Sequence, residues 1–184
     1  FTFTPGTNVT GTIVGAETDA VDTFFVSAET TTQQGGDGGN DTFLFEPTAA
    51  ANGADTINNF TSGDILNFQA YFDGAWSGSI GYYNLGAFVG TFNANWTVFG
   101  FNKATLSASD FNGPGDFVNI GNNVKQVWLI TGDNDLVADA TNDGYKVYNV
   151  YDSDPTAGIT VNVELIANVT APTEYFLGGG NVIG

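Results

Sequence analysis

Residues 35–45 read Gly35-Gly36-Asp37-Gly38-Gly39-Asn40-Asp41-Thr42-Phe43-Leu44-Phe45. The glycines let the backbone turn and expose its carbonyl oxygens, and Asp37 and Asp41 add carboxylate oxygens. Phe43 and Phe45 follow at the two-residue spacing of a strand with one buried face. Because proteins bind calcium through carbonyl and carboxylate oxygens, this run predicts a calcium-binding turn that leads into a short buried strand.

A short sequence motif, in which an aspartate precedes a short apolar strand, recurs in the first third of the chain. Asp22-Thr23-Phe24-Phe25-Val26 precedes the run by nineteen residues, and two further variants begin at Asp55 and Asp64. The predicted calcium ligands are therefore Gly35, Asp37, Gly39, Asp41, Asp22, Asp55 and Asp64. An alternative interpretation needs no metal, because Gly and Asp are also the ordinary turn residues of an all-β protein.

The glycine-rich run resembles the RTX nonapeptide G-G-x-G-x-D-x-U-x, in which U is a large apolar residue. Residues 54–68 are similar to the D-x-I-x-x-F-x-x-G-D-x-L-x-F segment that follows such repeats in bacterial proteins of type I secretion. Residues 124–169 and the short apolar end at 181–184 are similar to the C-terminal tails of those proteins. This resemblance covers about half of the chain. It implies a calcium-binding bacterial surface protein, with Ca²⁺ as cofactor and an extracellular or cell-surface location.

The charge of the chain argues against two kinds of partner. Its 184 residues include 20 acidic and only three basic side chains, Lys103, Lys125 and Lys146, for a formal net charge of −17. Nucleic acids and anionic membranes are bound through Lys and Arg, so we expect neither as a partner. No apolar run approaches the ~20 residues of a membrane span. The acidity favours divalent cations, although solubility or a salty habitat would explain it too.

The residue inventory also argues against catalysis. Without His or Cys, the chain lacks the usual bases and nucleophiles of acyl-transfer enzymes and the preferred ligands of zinc. A glycosidase would need a pair of carboxylates across a cleft, and the five glutamates show no such pairing in the sequence. We therefore expect that the protein is not an enzyme.

Strand patterns dominate the rest of the chain. The 25 glycines and the evenly spaced β-branched and aromatic runs predict an all-β fold, either a β-sandwich or a β-roll with Gly/Asp-rich calcium-binding turns. One short helix is predicted around residues 106–111. We expect an RTX-like region at 1–70 with an N-terminal strand arm. An aromatic-rich β-sandwich region with C-terminal hairpins should follow at 71–184, and the two could form one continuous domain.

Three functions are compatible with these features, and one of them is an export-signal domain that calcium folds outside the cell. The other two are developed further from the residues. The first is a subunit of a self-assembling filament, sheath or surface layer, a homo-oligomer or polymer joined through β-strand edges. In it, the N-terminal arm would place Phe1, Phe3, Val9 and Ile13 in pockets of a neighbouring subunit. If the arm instead pairs within its own sheet, a monomeric module is favoured.

The second function is an adhesive or carbohydrate-binding module of a secreted RTX-type protein. Its candidate ligand-binding residues are Trp76, Tyr82, Tyr83 and Trp96, whose rings could stack on a surface polysaccharide. The same aromatic side chains would equally serve as a buried core cluster.

Overall fold

The computed structural model describes residues 2–3, 11–15, 21–26, 29–35, 39–61, 63–72, 80–83, 98–102, 105–111, 125–131, 144–152, 160–170 and 182–183. Most of these residues lie in strands, which confirms the predicted mainly-β class. The strands are β1 Thr2–Phe3, β2 Gly11–Val14, β3 Thr23–Phe25, β4 Thr31–Gln34, β5 Thr42–Leu44, β6 Asp55–Asn58, β7 Ile65–Asn67, β8 Ile80–Tyr83, β9 Val98–Asn102, β10 Lys125–Thr131, β11 Gly144–Asp152, β12 Val161–Thr170 and β13 Val182–Ile183.

The described part of the chain contains little helix. One four-residue helix, α1, spans Gln69–Phe72, and 3₁₀ turns occupy Ala49–Ala51 and Ala108–Asp110. The second 3₁₀ turn stands where the sequence predicted a short helix, and it is closed by hydrogen bonds from the Ser107 N–H and hydroxyl to Asp110 Oδ2. None of the helices in the described ranges is long and apolar enough to cross a membrane.

Successive strands of residues 2–67 alternate between two sheets. The smaller sheet has the order β1-β3-β5-β7-β13, and the larger has the order β2-β4-β6-β12-β11-β10-β9-β8. In both sheets, each strand from β1 to β5 pairs in parallel with the strand two positions further on. The chain therefore winds in repeated coils, where one coil means a strand of the smaller sheet followed by a strand of the larger.

The larger sheet is mixed. Strands β10, β11 and β12 are antiparallel neighbours, whereas β8 pairs with β9, β9 with β10 and β12 with β6 in parallel. The three antiparallel strands occupy the region in which the sequence predicted hairpins. Their attachment to β6 and β9 by parallel pairing was not predicted, because side-chain alternation identifies the buried face of a strand and not its neighbour.

The core lies between the two sheets and is largely aromatic at its N-terminal end. Phe24 stacks on Phe43 with ring centroids 5.2 Å apart, and Phe45 stacks on Phe68 at 4.3 Å. One buried cluster contains these rings together with Val127, Leu129, Val147, Ala167 and other side chains from after residue 71. Both regions that the sequence distinguished thus contribute to the same core.

The described parts of the N-terminal segment are residues 2–3 and 11–15, and their strands pair within the chain. Strand β1 pairs with β3 and strand β2 pairs with β4 of the same chain. Ile13 is partly buried and packs against the protein's own core cluster. The neighbouring Thr12 and Val14 are exposed, so the side chains of β2 alternate as expected for a strand with one face toward the protein's own core.

Candidate functional site

Three buried aspartates form a column along one side of the smaller sheet. Asp22, Asp41 and Asp64 immediately precede β3, β5 and β7, and at most 3% of any of them is exposed. Because Thr23 pairs with Thr42 and Thr42 with Ile65, the residue before each strand lies beside its counterpart in the next coil. We call these three residues the aspartate column.

One oxygen of the Asp41 carboxylate and one oxygen of the Asp64 carboxylate accept a hydrogen bond from the preceding coil. The Asp22 N–H donates to Asp41 Oδ1 at 2.9 Å, and the Asp41 N–H donates to Asp64 Oδ1, also at 2.9 Å. These bonds continue the backbone ladder beyond the ends of the strands. A hydrogen bond from a backbone N–H to a carboxylate is charge-assisted and stronger than a neutral one, so the column joins the coils.

The second oxygen of each carboxylate faces the turn of its own coil. Asp64 Oδ2 accepts hydrogen bonds from the Thr61 N–H at 2.6 Å and from the Thr61 hydroxyl at 3.2 Å. The Oδ2 atoms of Asp22 and Asp41 instead lie against Gly15 and Gly35, at the opposite end of each turn, where a Cβ would overlap them. The absence of a side chain at these two glycines is what lets the carboxylates close their turns.

Oxygens from two coils converge near Gly15. A Cβ built on Gly15 would overlap Asp22 Oδ2 and would lie 2.5 Å from the carbonyl oxygen of Gly35. A carboxylate oxygen and a carbonyl oxygen are both ligands that calcium prefers. Further along the second turn, Gly39 has φ +93°, a left-handed conformation that favours glycine.

The electrostatics of the column are unfavourable for the ionised form of Asp41. Burial raises the pKa of Asp41 to about 6, partly opposed by the hydrogen bond from the Asp22 N–H, while the nearby charges of Asp64 and Asp22 raise it further. A divalent cation beside the column would remove this repulsion.

Asp55 belongs to a different part of the fold from the other predicted ligands. It begins β6 in the larger sheet and is fully buried. Its Oδ1 accepts hydrogen bonds from the Thr31 N–H at 2.5 Å and from the Thr31 hydroxyl at 2.9 Å. Asp55 thus links two coils as the column does, but on the other sheet.

The structure assembles only part of the predicted metal set. Within the described ranges, no group of three or more His, Cys, Asp or Glu side chains is close enough to hold a metal ion. Gly35, Gly39, Asp22, Asp41 and Asp64 lie along one side of the coils, whereas Asp37 is outside the described residues.

The other predicted site residues are only partly described. Trp76, Trp96, Phe1 and Val9 lie outside the described residues. Tyr82 and Tyr83 lie on β8, an edge strand of the larger sheet, and Phe3 lies on β1, an edge strand of the smaller one.

Gly15 was missed by sequence reasoning. The signal that could have found it is its spacing to Asp22, which is one residue longer than the spacing of Gly35 to Asp41.

No protein-family model, curated protein or solved structure matches the chain.

Proposed function

We propose that the protein is an extracellular structural protein whose residues 2–67 form a calcium-stabilised β-roll. We further propose that its molecules assemble through strand edges into a filament, sheath or surface layer. The observation that carries the proposal is the aspartate column, which places three buried carboxylates in register at the ends of turns, and the middle turn is rich in glycine. A net charge of −17 adds a general attraction for divalent cations.

The roll is favoured over a sandwich by the pairing of the strands. Sandwiches of the immunoglobulin type are built from antiparallel sheets, whereas here alternate strands of residues 2–67 pair in parallel with partners one coil away. Each coil therefore contacts mainly its neighbours, and an ion between two turns would join them.

Calcium would bind in the glycine-rich turns, between one coil and the next. Asp22 Oδ2 and the Gly35 carbonyl oxygen supply ligands from two coils, and Asp41 and Asp37 would supply carboxylates from the second turn. Calcium takes about 6–8 oxygen ligands, so backbone carbonyls and water complete the set. Asp64 is less suited to the role, because Asp41 and Thr61 already donate hydrogen bonds to both of its oxygens.

The assembly proposal is supported by the edges of the two sheets. Strands β1 and β2 are edge strands at the N-terminal end of the coils. Val14 and Val21, the exposed large hydrophobic residues of the described ranges, lie at this end, with 47% and 62% of their surface exposed. The edge strands β1 and β2, with exposed valines beside them, are suited to pair with strands from another molecule. Because the first strands already pair within the chain, assembly would use these edges and not a donated arm.

Calcium dependence is tested by thermal melting in excess calcium and in chelator. Binding to the folded state stabilises it by about 2.7 kcal/mol at a hundredfold excess over Kd, which corresponds to roughly 5–10 °C for a chain of this size. Asp41→Asn should reduce the calcium increment, and Glu29→Gln, which makes the same change of charge outside the column, should retain it. Identical melting curves in calcium and chelator, after prolonged chelation to remove tightly held ions, would contradict the proposal.

Assembly is tested by light scattering in calcium. We expect a large particle for the wild type and a smaller one for Val14→Lys/Val21→Lys, because lysines at an edge oppose strand addition. Ala50→Lys places a lysine on an exposed 3₁₀ turn away from the edge and serves as the control. A monomeric mass for the wild type would reject assembly.

The alternative is the adhesive or carbohydrate-binding module. The observation that favours it is the pairing of β1 with β3 and of β2 with β4 of the same chain, as in a monomeric module. Monomeric scattering together with binding to an array of bacterial polysaccharides, lost in Trp76→Ala or Trp96→Ala, would establish this function.

A further inference from the structure

The larger sheet ends in two edge strands of equal length. Strands β2 and β8 have four residues each and stand at opposite ends of the strand order. Within the described ranges each has one strand neighbour, β4 for β2 and β9 for β8. The edge strands of the smaller sheet, β1 and β13, have two residues each. The larger sheet therefore offers the longer main-chain surface to a strand from another molecule.

The two edge strands of the larger sheet run in the same direction. From β2, parallel pairing leads through β4 and β6 to β12. Antiparallel pairing of β12 with β11 and of β11 with β10 reverses the direction twice, and parallel pairing then leads through β9 to β8. A β8 strand laid beside β2 without rotation would therefore continue the sheet in parallel.

The main chain of β2 has one side toward β4 and one side toward the open edge. The Gly15 N–H donates to the Gln34 carbonyl oxygen at 2.7 Å, so Gly15 directs its main-chain groups toward β4. In a strand of a parallel sheet, successive residues direct their N–H and C=O groups to alternate sides. Thr12 and Val14 therefore direct theirs to the open edge.

Neither edge strand carries the residues that usually block strand addition. Natural edge strands are commonly protected by lysine, by proline or by inward-pointing charges. Strand β2 reads Gly-Thr-Ile-Val and β8 reads Ile-Gly-Tyr-Tyr, with no charged residue and no proline in either. Val14 on the β2 edge also has 47% of its surface exposed. Both strands thus have the composition of a pairing surface.

A second copy of this chain carries the edge that matches. Translation of one copy along the sheet places its β8 beside β2 of the next copy, in parallel and with the core face on the same side. A two-fold pairing of β2 with β2 would be antiparallel and would leave both β8 edges uncovered. Head-to-tail pairing uses one edge of each kind at every contact, so the growing end always offers the edge that the next copy needs.

We propose that copies of this chain join head to tail, with β8 of one copy paired in parallel with β2 of the next. The larger sheet then continues from molecule to molecule. This inference rests on the assembly part of the proposed function. It adds the partner of the β2 edge and a polarity to the filament, which exposes β2 at one end and β8 at the other.

Cysteine cross-linking tests the contact directly, because the chain has no cysteine of its own. Adjacent strands lie about 4.8 Å apart, within the range that a disulfide spans. Thr12→Cys is combined with a cysteine at each of positions 80–83 in turn. On oxidation in calcium, at least one of the four double variants should give a ladder of disulfide-linked multimers, and each single-cysteine variant should stay unlinked.

The cross-links separate failure of the contact from failure of the proposed function. Dimers from Thr12→Cys alone would show two-fold pairing of β2 and would overturn the head-to-tail contact. Assembly of the wild type without a link at any of the four positions would overturn it as well. A monomeric wild type would reject assembly itself, and this contact with it.

Val14→Pro tests the main chain of the β2 edge. Proline removes the N–H that faces the open side and retains the hydrogen bond from Gly15 to β4, so Tm should change little. The protein concentration at which light scattering detects particles should rise roughly tenfold. Val14→Thr keeps the N–H and a β-branched side chain, and it should assemble like the wild type. Assembly of Val14→Pro at the wild-type concentration overturns the proposal, and if this variant does not fold, the cysteine pairs decide.

Discussion

At the scale of single residues, Gly35 and Asp41 act as a pair. Gly35 directly follows β4, and the carboxylate of Asp41, which precedes β5, occupies the space that a side chain at Gly35 would need. Sequence reasoning identified both residues as members of one turn. It could not show that they touch, because contact across a turn depends on how its ends are brought together.

The pair predicts the effect of Gly35→Ala. The new Cβ would overlap the Asp41 carboxylate, and overpacking of this kind typically costs about 1–3 kcal/mol. Denaturant unfolding should show this loss in the wild-type background and a much smaller one beside Asp41→Ala, where the carboxylate is absent. Equal losses in the two backgrounds would mean that the carboxylate is not what excludes the side chain.

The raised pKa of Asp41 predicts that the stability of the protein depends on pH when calcium is removed by a chelator. Its folded-state pKa of about 6 lies above the ordinary value of 3.8, so the folded protein binds more protons between these limits. The contribution of Asp41 to the free energy of unfolding therefore falls as pH rises from about 4 to 6. Above pH 6 the ionised carboxylate destabilises the folded state to its full extent. Asp41→Asn removes this contribution, and its stability relative to the wild type should increase over the same interval. A difference that stays constant from pH 4 to 7 would contradict the assignment.

At the scale of elements, the short strands depend on carboxylates at their beginnings. Strands β3, β5 and β7 have three residues each, and the aspartates before them continue the inter-strand hydrogen bonds. The sequence predicted the buried Phe43 and Phe45 correctly, because apolar side chains at a period of two mark a buried face. It did not predict parallel partners or the buried Gln33 and Asn149, because neighbours distant in sequence determine both.

The link between β4 and β6 gives a prediction of its own. Asp55→Ala would leave the buried Thr31 N–H and hydroxyl without their acceptor, at a cost of about 2–4 kcal/mol for the two groups. Since Asp55 lies on the other sheet from the column, the loss should be the same in calcium and in chelator. Thr32→Ala, a neighbouring half-buried threonine, is the control. A loss of stability seen only in calcium would indicate that Asp55 is a metal ligand.

At the scale of the whole molecule, the two halves of the sequence share structure. Strand β6 pairs with β12 and β7 pairs with β13, and one buried cluster contains residues from before and after residue 71. The sequence suggested a change of character near residue 70, since glycine and aspartate give way to aromatic residues there. Composition locates such a change well, but it carries no information on which strands pair across it.

This sharing predicts that residues 1–70 do not fold alone. The fragment would lose the partners of β6 and β7 in both sheets and the apolar side chains of β10–β12. Circular dichroism should show an unfolded fragment, and adding residues 71–184 should restore strand signal. The intact chain should melt in one transition. Cooperative unfolding of the isolated fragment, in calcium or in chelator, would contradict this prediction.

The segments between the two ends of each turn differ in length, and this has a consequence for insertions and deletions. Asp22 follows Gly15 by seven residues, Asp41 follows Gly35 by six, and Asp64 follows Asn59, which has φ +56°, by five. Despite these differences, the three aspartates remain in register. A residue gained or lost within a turn is thus absorbed before the aspartate, whereas one gained within a strand would turn every following side chain to the wrong face. Length variation among coils of this kind should therefore be tolerated between the glycine and the aspartate and rejected beyond it.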